Sequence, residues 1–282
     1  MTFKVFSELS YQVYMPSTFL FNIEAAQTNG QTIIEEQLTT NIACELETLI
    51  SPSGTRFIRT TINEPQNFKV TYTATVTTHH QLIDEHVTNS VTALSNIQAD
   101  ILPYLFPSRY CQSDKLQRFA SQMFGNLVGD YAKVVGICDW IYHNIEYLLG
   151  SSNSYTSAVD TMSERAGVCR DFAHLGIALC RASGIPARYF TGYAYQLQPA
   201  DFHACFEAYI NGTWLFFDAT RMIPSNGLVK IANGLDAADT AVTNIFGNTY
   251  CNYITVGCHL VDGKTFKPLN AWENKDLALS YG

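Results

Sequence analysis

Hydrophobic and polar residues alternate along much of the first third of the chain. Residues 68–76 alternate without interruption, which predicts a β-strand with one buried face. Residues 18–26 alternate similarly, and Asn29-Gly30, two residues that tolerate positive φ, predicts a hairpin into residues 31–40. Short strands separated by such turns, from residue 3 to about 95, favour an antiparallel β-sandwich.

The alternation ends at residues 101–107, where two prolines interrupt it and a helical period follows. Apolar residues then recur every three or four positions in residues 114–123 and 130–147, which predicts two helices. We therefore predict two domains, an N-terminal β-sandwich over residues 1–104 and an α+β domain over residues 105–282.

A further helix is predicted to begin at Cys169 and to end at Ser183-Gly184. Its residues are apolar on nearly every side, so we expect it to be the buried central helix of its domain. A thiol at a helix N-terminus lies among exposed backbone N–H groups at the positive end of the helix dipole, which favours the thiolate.

Strand patterns return after this helix. Residues 204–210 and 214–217 are apolar runs joined by Asn211-Gly212, a strong hairpin signal. His203 stands at the start of the first strand and Asp218 at the end of the second, so the hairpin predicts that the two side chains are neighbours.

Two more alternating segments complete the pattern. Residues 187–195 predict another strand. Residues 240–246 and 250–261 flank Gly247-Asn248, which predicts a final hairpin near the end of the chain.

The composition is that of an ordinary folded protein, with 47% hydrophobic and 15% charged residues among 282. Acidic residues outnumber basic ones by 25 to 17, and the net charge of -8 argues against a nucleic-acid partner.

We see no apolar run of roughly 18 residues and no signal-peptide pattern, so we expect no membrane partner and a cytoplasmic location. Eight irregularly spaced cysteines favour free thiols over a disulfide framework.

Cys169, His203 and Asp218 together provide the three groups of a cysteine acyl-transfer site. A thiolate attacks a carbonyl carbon, an imidazole accepts and returns the proton, and a carboxylate orients the imidazole. The product of the first half-reaction is a thioester, which water or an amine resolves. His174 is a rival base. It lies five residues beyond Cys169 on the helix, so its side chain is expected to point away from the thiol, and we expect a structural role.

A metal site is an alternative interpretation of the same region, because Cys169, His174, Cys180, His203 and Cys205 lie close in sequence. No closely spaced cysteine pair is present, so we expect neither a metal nor another cofactor. His203 and Cys205, two residues apart on a strand, are nevertheless expected to face the same side.

Four motifs surround the candidate residues: GVCRDFA at 167–173, GIPAR at 184–188, His203-Ala204 with Glu207, and FDAT at 217–220. Together they resemble the transglutaminase-like superfamily of papain-type cysteine acyltransferases and peptidases. The resemblance is strongest over about residues 130–225, and the β-rich N-terminal region is similar to the N-terminal domain of bacterial members. It implies that residues 105–282 form a transglutaminase-like catalytic domain, with the central helix packed on an antiparallel sheet.

The same resemblance implies Cys169 as the nucleophile, His203 as the base and Asp218 as the orienting acid. The sequence departs from the family pattern at Cys205, where an aromatic residue is common, and at Ala219, where proline is common. Neither departure touches the three candidate residues.

Residues beside the expected nucleophile are assigned other tasks. Asp171 and Arg170 are assigned no catalytic role, because an acidic side chain in the first turn favours the helix start. The backbone N–H of Cys169 is expected to be one oxyanion donor. For the second donor, Tyr147 and Trp140 both precede the nucleophile, and no spacing argument selects either of them over core packing.

The sequence thus predicts a cysteine-dependent amide hydrolase acting on a peptide or protein substrate. Two alternatives stay open: a transamidase of the protein-glutamine gamma-glutamyltransferase type, in which an amine captures the thioester, and a non-catalytic binding module. Hydrolysis is preferred because no calcium-binding loop of alternating acidic residues is visible.

Overall fold

The computed structural model describes residues 1–51, 54–83, 91–261, 266–273 and 277–282. Within these ranges, two four-stranded antiparallel sheets form a β-sandwich, and a third four-stranded antiparallel sheet packs against a central helix. This α+β architecture confirms the predicted fold class. Among the described helices, none is long and apolar enough to cross a bilayer.

The described strands and helices follow one another along the chain. The strands are β1 (Thr2–Val13), β2 (Ser17–Phe21), β3 (Gln31–Thr40), β4 (Glu47–Ile50), β5 (Arg56–Ile62), β6 (Gln66–Thr78), β7 (Gln81–Ile83), β8 (Glu146–Tyr147), β9 (Ala166–Gly167), β10 (Ala187–Ala194), β11 (Phe202–Ile210), β12 (Thr213–Phe217), β13 (Leu228–Gly234), β14 (Thr243–Phe246), β15 (Thr249–Leu260) and β16 (Ala278–Ser280). The α-helices are α1 (Ser113–Phe124), α2 (Asp130–Asn144), α3 (Ala158–Glu164) and α4 (Cys169–Ala182).

The sandwich sheets run in the orders β15-β1-β6-β3 and β14-β2-β5-β4. The uninterrupted alternation of β6 is confirmed, because its apolar positions from Phe68 to Val76 are all buried. Phe68 meets Phe19 of the facing sheet at a ring-centroid distance of 5.2 Å. Alternation therefore places one side of each sheet in a shared aromatic core.

Two predicted hairpins are wrong. β2 pairs with β5 and β14, whereas β3 pairs with β6, so the segments flanking Asn29-Gly30 enter different sheets. β14 and β15 are likewise separated, because β14 pairs with β2 and β15 with β1. Alternation shows that a strand has one buried face, and either sheet of a sandwich satisfies that requirement.

The boundary near residue 104 stays a prediction, but strand pairing assigns β14 and β15 to the sandwich rather than to the second domain.

The third sheet runs in the order β12-β11-β10-β13 and carries α4. The predicted burial of this helix is confirmed, because every residue from Asp171 to Arg181 is buried. A Cβ at Gly176 would lie 2.6 Å from the ring of Phe206 on β11. Glycine at this position therefore permits the close approach of helix and sheet.

The sandwich and the third sheet are joined by buried polar contacts. The Gln31 amide donates to the backbone oxygens of Ala26 (2.7 Å) and Lys230 (2.8 Å) and accepts from the Lys230 backbone N–H (2.9 Å). The Tyr193 hydroxyl donates to the backbone oxygen of Ile23 (2.6 Å). Apolar residues of β10 and β13 also belong to the sandwich core, so the two parts share one hydrophobic interior.

A buried ionic cluster lies within the third sheet. Lys230 Nζ contacts Glu207 at 3.1 Å, and Arg188 Nε donates to the same carboxylate at 2.5 Å. Burial lowers the pKa of Lys230 to about 8, although Glu207 opposes the shift. Burial alone raises the pKa of Glu207, but the two cations outweigh it and the net shift is downward. Each of these charges therefore depends on its partners.

We predict that Lys230→Met lowers the free energy of unfolding by about 3–5 kcal/mol, because it removes one partner from a buried ion cluster. Urea denaturation followed by circular dichroism measures the change. Arg59→Met is the matched control, since Arg59 and Glu47 form an ion pair with both side chains about half exposed. That substitution is expected to cost less than about 1 kcal/mol. Equal effects of the two substitutions would contradict the prediction.

Candidate active site

Cys169 is the first residue of α4, and its side chain is half-buried. The Asp171 carboxylate accepts a hydrogen bond from the Val168 backbone N–H (2.9 Å) and another from Ser152 Oγ (3.0 Å). Gly167 leaves room for this carboxylate, because a Cβ there would lie 2.7 Å from the Asp171 Cβ. Asp171 thus fixes the start of the helix, in the structural position expected from the sequence.

Arg170 also serves the helix start. Its guanidinium donates to Ser152 Oγ (3.2 Å) and to the backbone oxygens of Thr156 (3.1 Å) and Asn153. It therefore ties the loop that precedes α3 to the first turn of α4.

His203 and Asp218 form a buried pair. His203 Nε2 lies 3.0 Å from Asp218 Oδ2, and the two residues are 1% and 8% exposed. The other carboxylate oxygen accepts from the Thr220 backbone N–H (2.8 Å) and hydroxyl (2.7 Å), so both oxygens are engaged. His203 lies at the start of β11 and Asp218 directly follows β12. The proximity predicted from the hairpin is confirmed, while the catalytic roles of the two residues stay a prediction.

The surroundings of His203 favour its protonated form. Burial by itself lowers the pKa of His203, but the Asp218 carboxylate and the Cys169 thiol outweigh this effect, so the pKa lies well above that of a free imidazole. Nε2 is engaged with Asp218, and Nδ1 has no hydrogen-bond partner among the described residues. Nδ1 is therefore the nitrogen left for the Cys169 thiol, in an open arrangement common in enzymes without substrate.

Cys205 is a second thiol beside this pair. The candidate ligand atoms of His203, Cys205 and Asp218 lie within 4.8 Å of one another. Burial raises the pKa of the Cys205 thiol to about 12. Cys205 is therefore a neutral thiol at neutral pH.

Tyr147 is the neighbour of the thiol that sequence reasoning did not select. β8 pairs in parallel with β9, setting Tyr147 opposite Gly167, and the Leu148 N–H donates to the Gly167 oxygen (2.9 Å). Burial is the main cause that raises the pKa of Tyr147 to about 12. The Cys169 thiol raises this pKa further, whereas a hydrogen bond with the Cys169 backbone opposes the rise. A two-residue strand has no periodicity, so the sequence carries no signal for this contact.

The other candidates occupy packing positions. Trp140 packs edge-on against Phe119 at a centroid distance of 5.0 Å and lies under the Arg165 guanidinium at 4.9 Å. His174 is fully buried and stacks between Tyr110 and Tyr189, with centroid distances of 5.0 Å to each. The His174 Nε2 also accepts from the Ala237 N–H (3.1 Å). These contacts fit the structural role expected for His174.

A buried helix that begins at a cysteine and packs on an antiparallel sheet places the protein in the α+β class. Family models match the chain on both sides of the predicted boundary, as the N-terminal domain of bacterial transglutaminase over residues 1–100 and as the transglutaminase-like superfamily over residues 117–219. The chain belongs to the transglutaminase-like superfamily.

A solved structure from Cytophaga hutchinsonii, described as a candidate cysteine protease, is 53% identical to this chain. It superposes with a TM-score of 0.96, and the match covers 99% of this chain and 97% of that one. An uncharacterised protein of Mycobacterium leprae is 28% identical over 116 residues, covering 38% of this chain. One of Mycobacterium tuberculosis is 43% identical over 53 residues, covering 19% of this chain. These matches span 42% and 17% of the two mycobacterial proteins.

We predict that iodoacetamide at neutral pH modifies Cys169 about tenfold or more faster than Cys251, because a helix N-terminus and a nearby imidazole favour the thiolate. The comparison is informative because Cys251 is exposed whereas Cys169 is half-buried. Quantitative mass spectrometry of the labelled peptides measures both rates. Faster labelling of Cys251 would show that reactivity simply follows exposure.

Proposed function

We propose that the protein is a cysteine-dependent amide hydrolase that acts on a peptide or protein substrate through a thioester. The observation that supports this most directly is the buried His203–Asp218 pair, 3.0 Å apart, beside a thiol at the start of α4. Cys169 is the most exposed of the three groups, so substrate approaches from its side.

In the proposed reaction, the Cys169 thiol passes its proton to His203, its sulfur attacks the amide carbon and a tetrahedral intermediate forms. His203 then gives a proton to the leaving amine, the C–N bond breaks and a thioester remains. Water, deprotonated by His203, attacks the thioester, releasing the carboxylic acid and restoring the thiol. Asp218 orients the ring throughout, because its second oxygen is fixed by Thr220.

Tyr147 is proposed as the second oxyanion donor, alongside the backbone N–H of Cys169. Its hydroxyl is close enough to Cys169 to interact with both the thiol and the backbone. The raised pKa keeps the phenol protonated, so it retains an O–H to donate to a developing negative charge.

Transamidation is the second candidate, favoured by the family model that matches residues 117–219. The two reactions share the thioester and differ in whether water or an amine attacks it. The resemblance to a candidate cysteine protease along nearly the whole chain supports hydrolysis. The eight free cysteines of the described chain support a reducing, cytoplasmic location, which we also propose.

We predict that Cys169→Ala and His203→Ala each lower amide turnover by roughly 1,000-fold or more, because neither thioester formation nor proton transfer can proceed without them. The assay is hydrolysis of a peptide library with and without a small primary amine, with products identified by mass spectrometry. Release of acid supports hydrolysis, and incorporation of the amine supports transamidation.

The matched control is His259→Ala, which removes an exposed histidine from β15 of the sandwich. It is expected to retain full turnover. Unchanged turnover in Cys169→Ala would contradict the proposed function, and failure of the wild-type protein to form a thioester with any acyl probe would favour the binding module.

We predict that Tyr147→Phe lowers kcat roughly 100-fold with little change in KM, because an oxyanion donor acts mainly in the transition state. The aromatic ring and its packing on Phe172, at 5.7 Å, are retained. Tyr155→Phe, an exposed tyrosine in the following loop, is the control. A rise in KM with kcat unchanged would instead assign Tyr147 to substrate positioning.

A further inference from the structure

Cys205 has no part in the proposed reaction, yet it lies against two groups that do. A ring nitrogen of His203, Cys205 Sγ and an Asp218 oxygen lie within 4.8 Å of one another. His203 and Cys205 are 1% exposed and Asp218 is 8% exposed. Three different ligand types thus converge in one buried place.

The fold explains why these atoms meet. His203 and Cys205 are two residues apart on β11, so their side chains leave the same face of the strand. Asp218 follows the neighbouring strand β12 and reaches the imidazole at 3.0 Å. The cluster therefore lies on strands of the central sheet rather than on surface loops, which favours precise ligand placement.

The charges of the cluster suit a divalent cation. A thiolate at Cys205, a carboxylate at Asp218 and a neutral imidazole carry two negative charges, which one divalent ion cancels. A buried site requires such cancellation, because an unpaired charge in the interior is costly. Binding displaces the Cys205 proton and the imidazolium proton, and both protons pass to solvent.

The donor set also selects the ion. Sulfur and imidazole nitrogen prefer Zn²⁺ to Ca²⁺ or Mg²⁺, which take oxygen ligands. Ligand atoms of a tetrahedral zinc site lie about 3.3–3.8 Å apart for Zn–N and Zn–S bonds of about 2.0–2.3 Å. Closing the present cluster therefore draws the Cys205 sulfur inward by up to about 1 Å. The His203–Asp218 separation of 3.0 Å opens slightly to admit the ion. Three protein ligands leave a fourth position for water.

We propose that His203, Cys205 and Asp218 form a reversible inhibitory site for a thiophilic divalent cation, with Zn²⁺ as the fitting ion. A bound ion takes the place of the proton between His203 and Asp218 and removes the base from the reaction. The inhibition rests on the proposed function, whereas the binding does not.

The test separates binding from activity by using Co²⁺ as a spectroscopic probe in a Cys169→Ala background. One equivalent of Co²⁺ is expected to produce thiolate-to-cobalt charge-transfer absorption, which Zn²⁺ then abolishes by displacing it. Adding Cys205→Ser is expected to remove this absorption and to weaken Zn²⁺ binding, measured by calorimetry, by roughly 100-fold or more. Adding Cys251→Ser, which removes an exposed thiol of the sandwich, leaves both signals unchanged.

Activity gives the second readout. The Zn²⁺ concentration for half-inhibition is expected to rise roughly 100-fold in Cys205→Ser, relative to that variant's own zinc-free rate. Cys205→Ala and thermal melts of both variants establish that the fold is retained. Charge-transfer absorption that persists without Cys205 would overturn the site. Absence of amide turnover in the zinc-free wild type would contradict the proposed function and leave the cobalt result decisive for the site.

Discussion

Close packing of α4 against β11 is the constraint on which the rest of the site depends. Gly176 faces Phe206 with no space for a side chain, so the axis of the helix is fixed relative to the strand. Cys169 begins that helix and His203 lies near the start of that strand, and both are therefore positioned by the hydrophobic core. The distance between thiol and imidazole is a property of the interior, which is harder to distort than a loop.

The sandwich contributes to the same rigidity. Gln31 holds the backbone of Lys230 on β13, and the Lys230 ammonium holds Glu207 on β11. Glu207 is four residues from His203 on the same strand and faces the same side. A chain of buried polar contacts therefore runs from the sandwich to the strand that carries His203, the proposed base. This gives the N-terminal half of the chain a structural role in the site.

Local patterns predicted the parts of the fold that local chemistry determines. The start of α4, its burial and the meeting of His203 with Asp218 all follow from short-range signals, namely a helix boundary, an apolar surface and a two-residue turn. The pairing of β14 and β15 with strands from the other end of the chain does not, because alternation shows that a face is buried without specifying its partner. Tyr147 escaped prediction for a related reason, since its position depends on a two-residue parallel pairing with Gly167.

The two thiols beside one imidazole differ in ways that divide their tasks. Cys169 is half-buried and lies at a helix N-terminus, where backbone N–H groups favour an anion. Cys205 is 1% exposed in mid-strand, and burial raises its pKa to about 12. Its thiol therefore stays protonated at neutral pH, so Cys169 is the proposed nucleophile of the two. A divalent cation offsets the cost of ionising Cys205. In the proposed metal site it occupies the His203 nitrogen and the Asp218 oxygen that the proposed reaction needs.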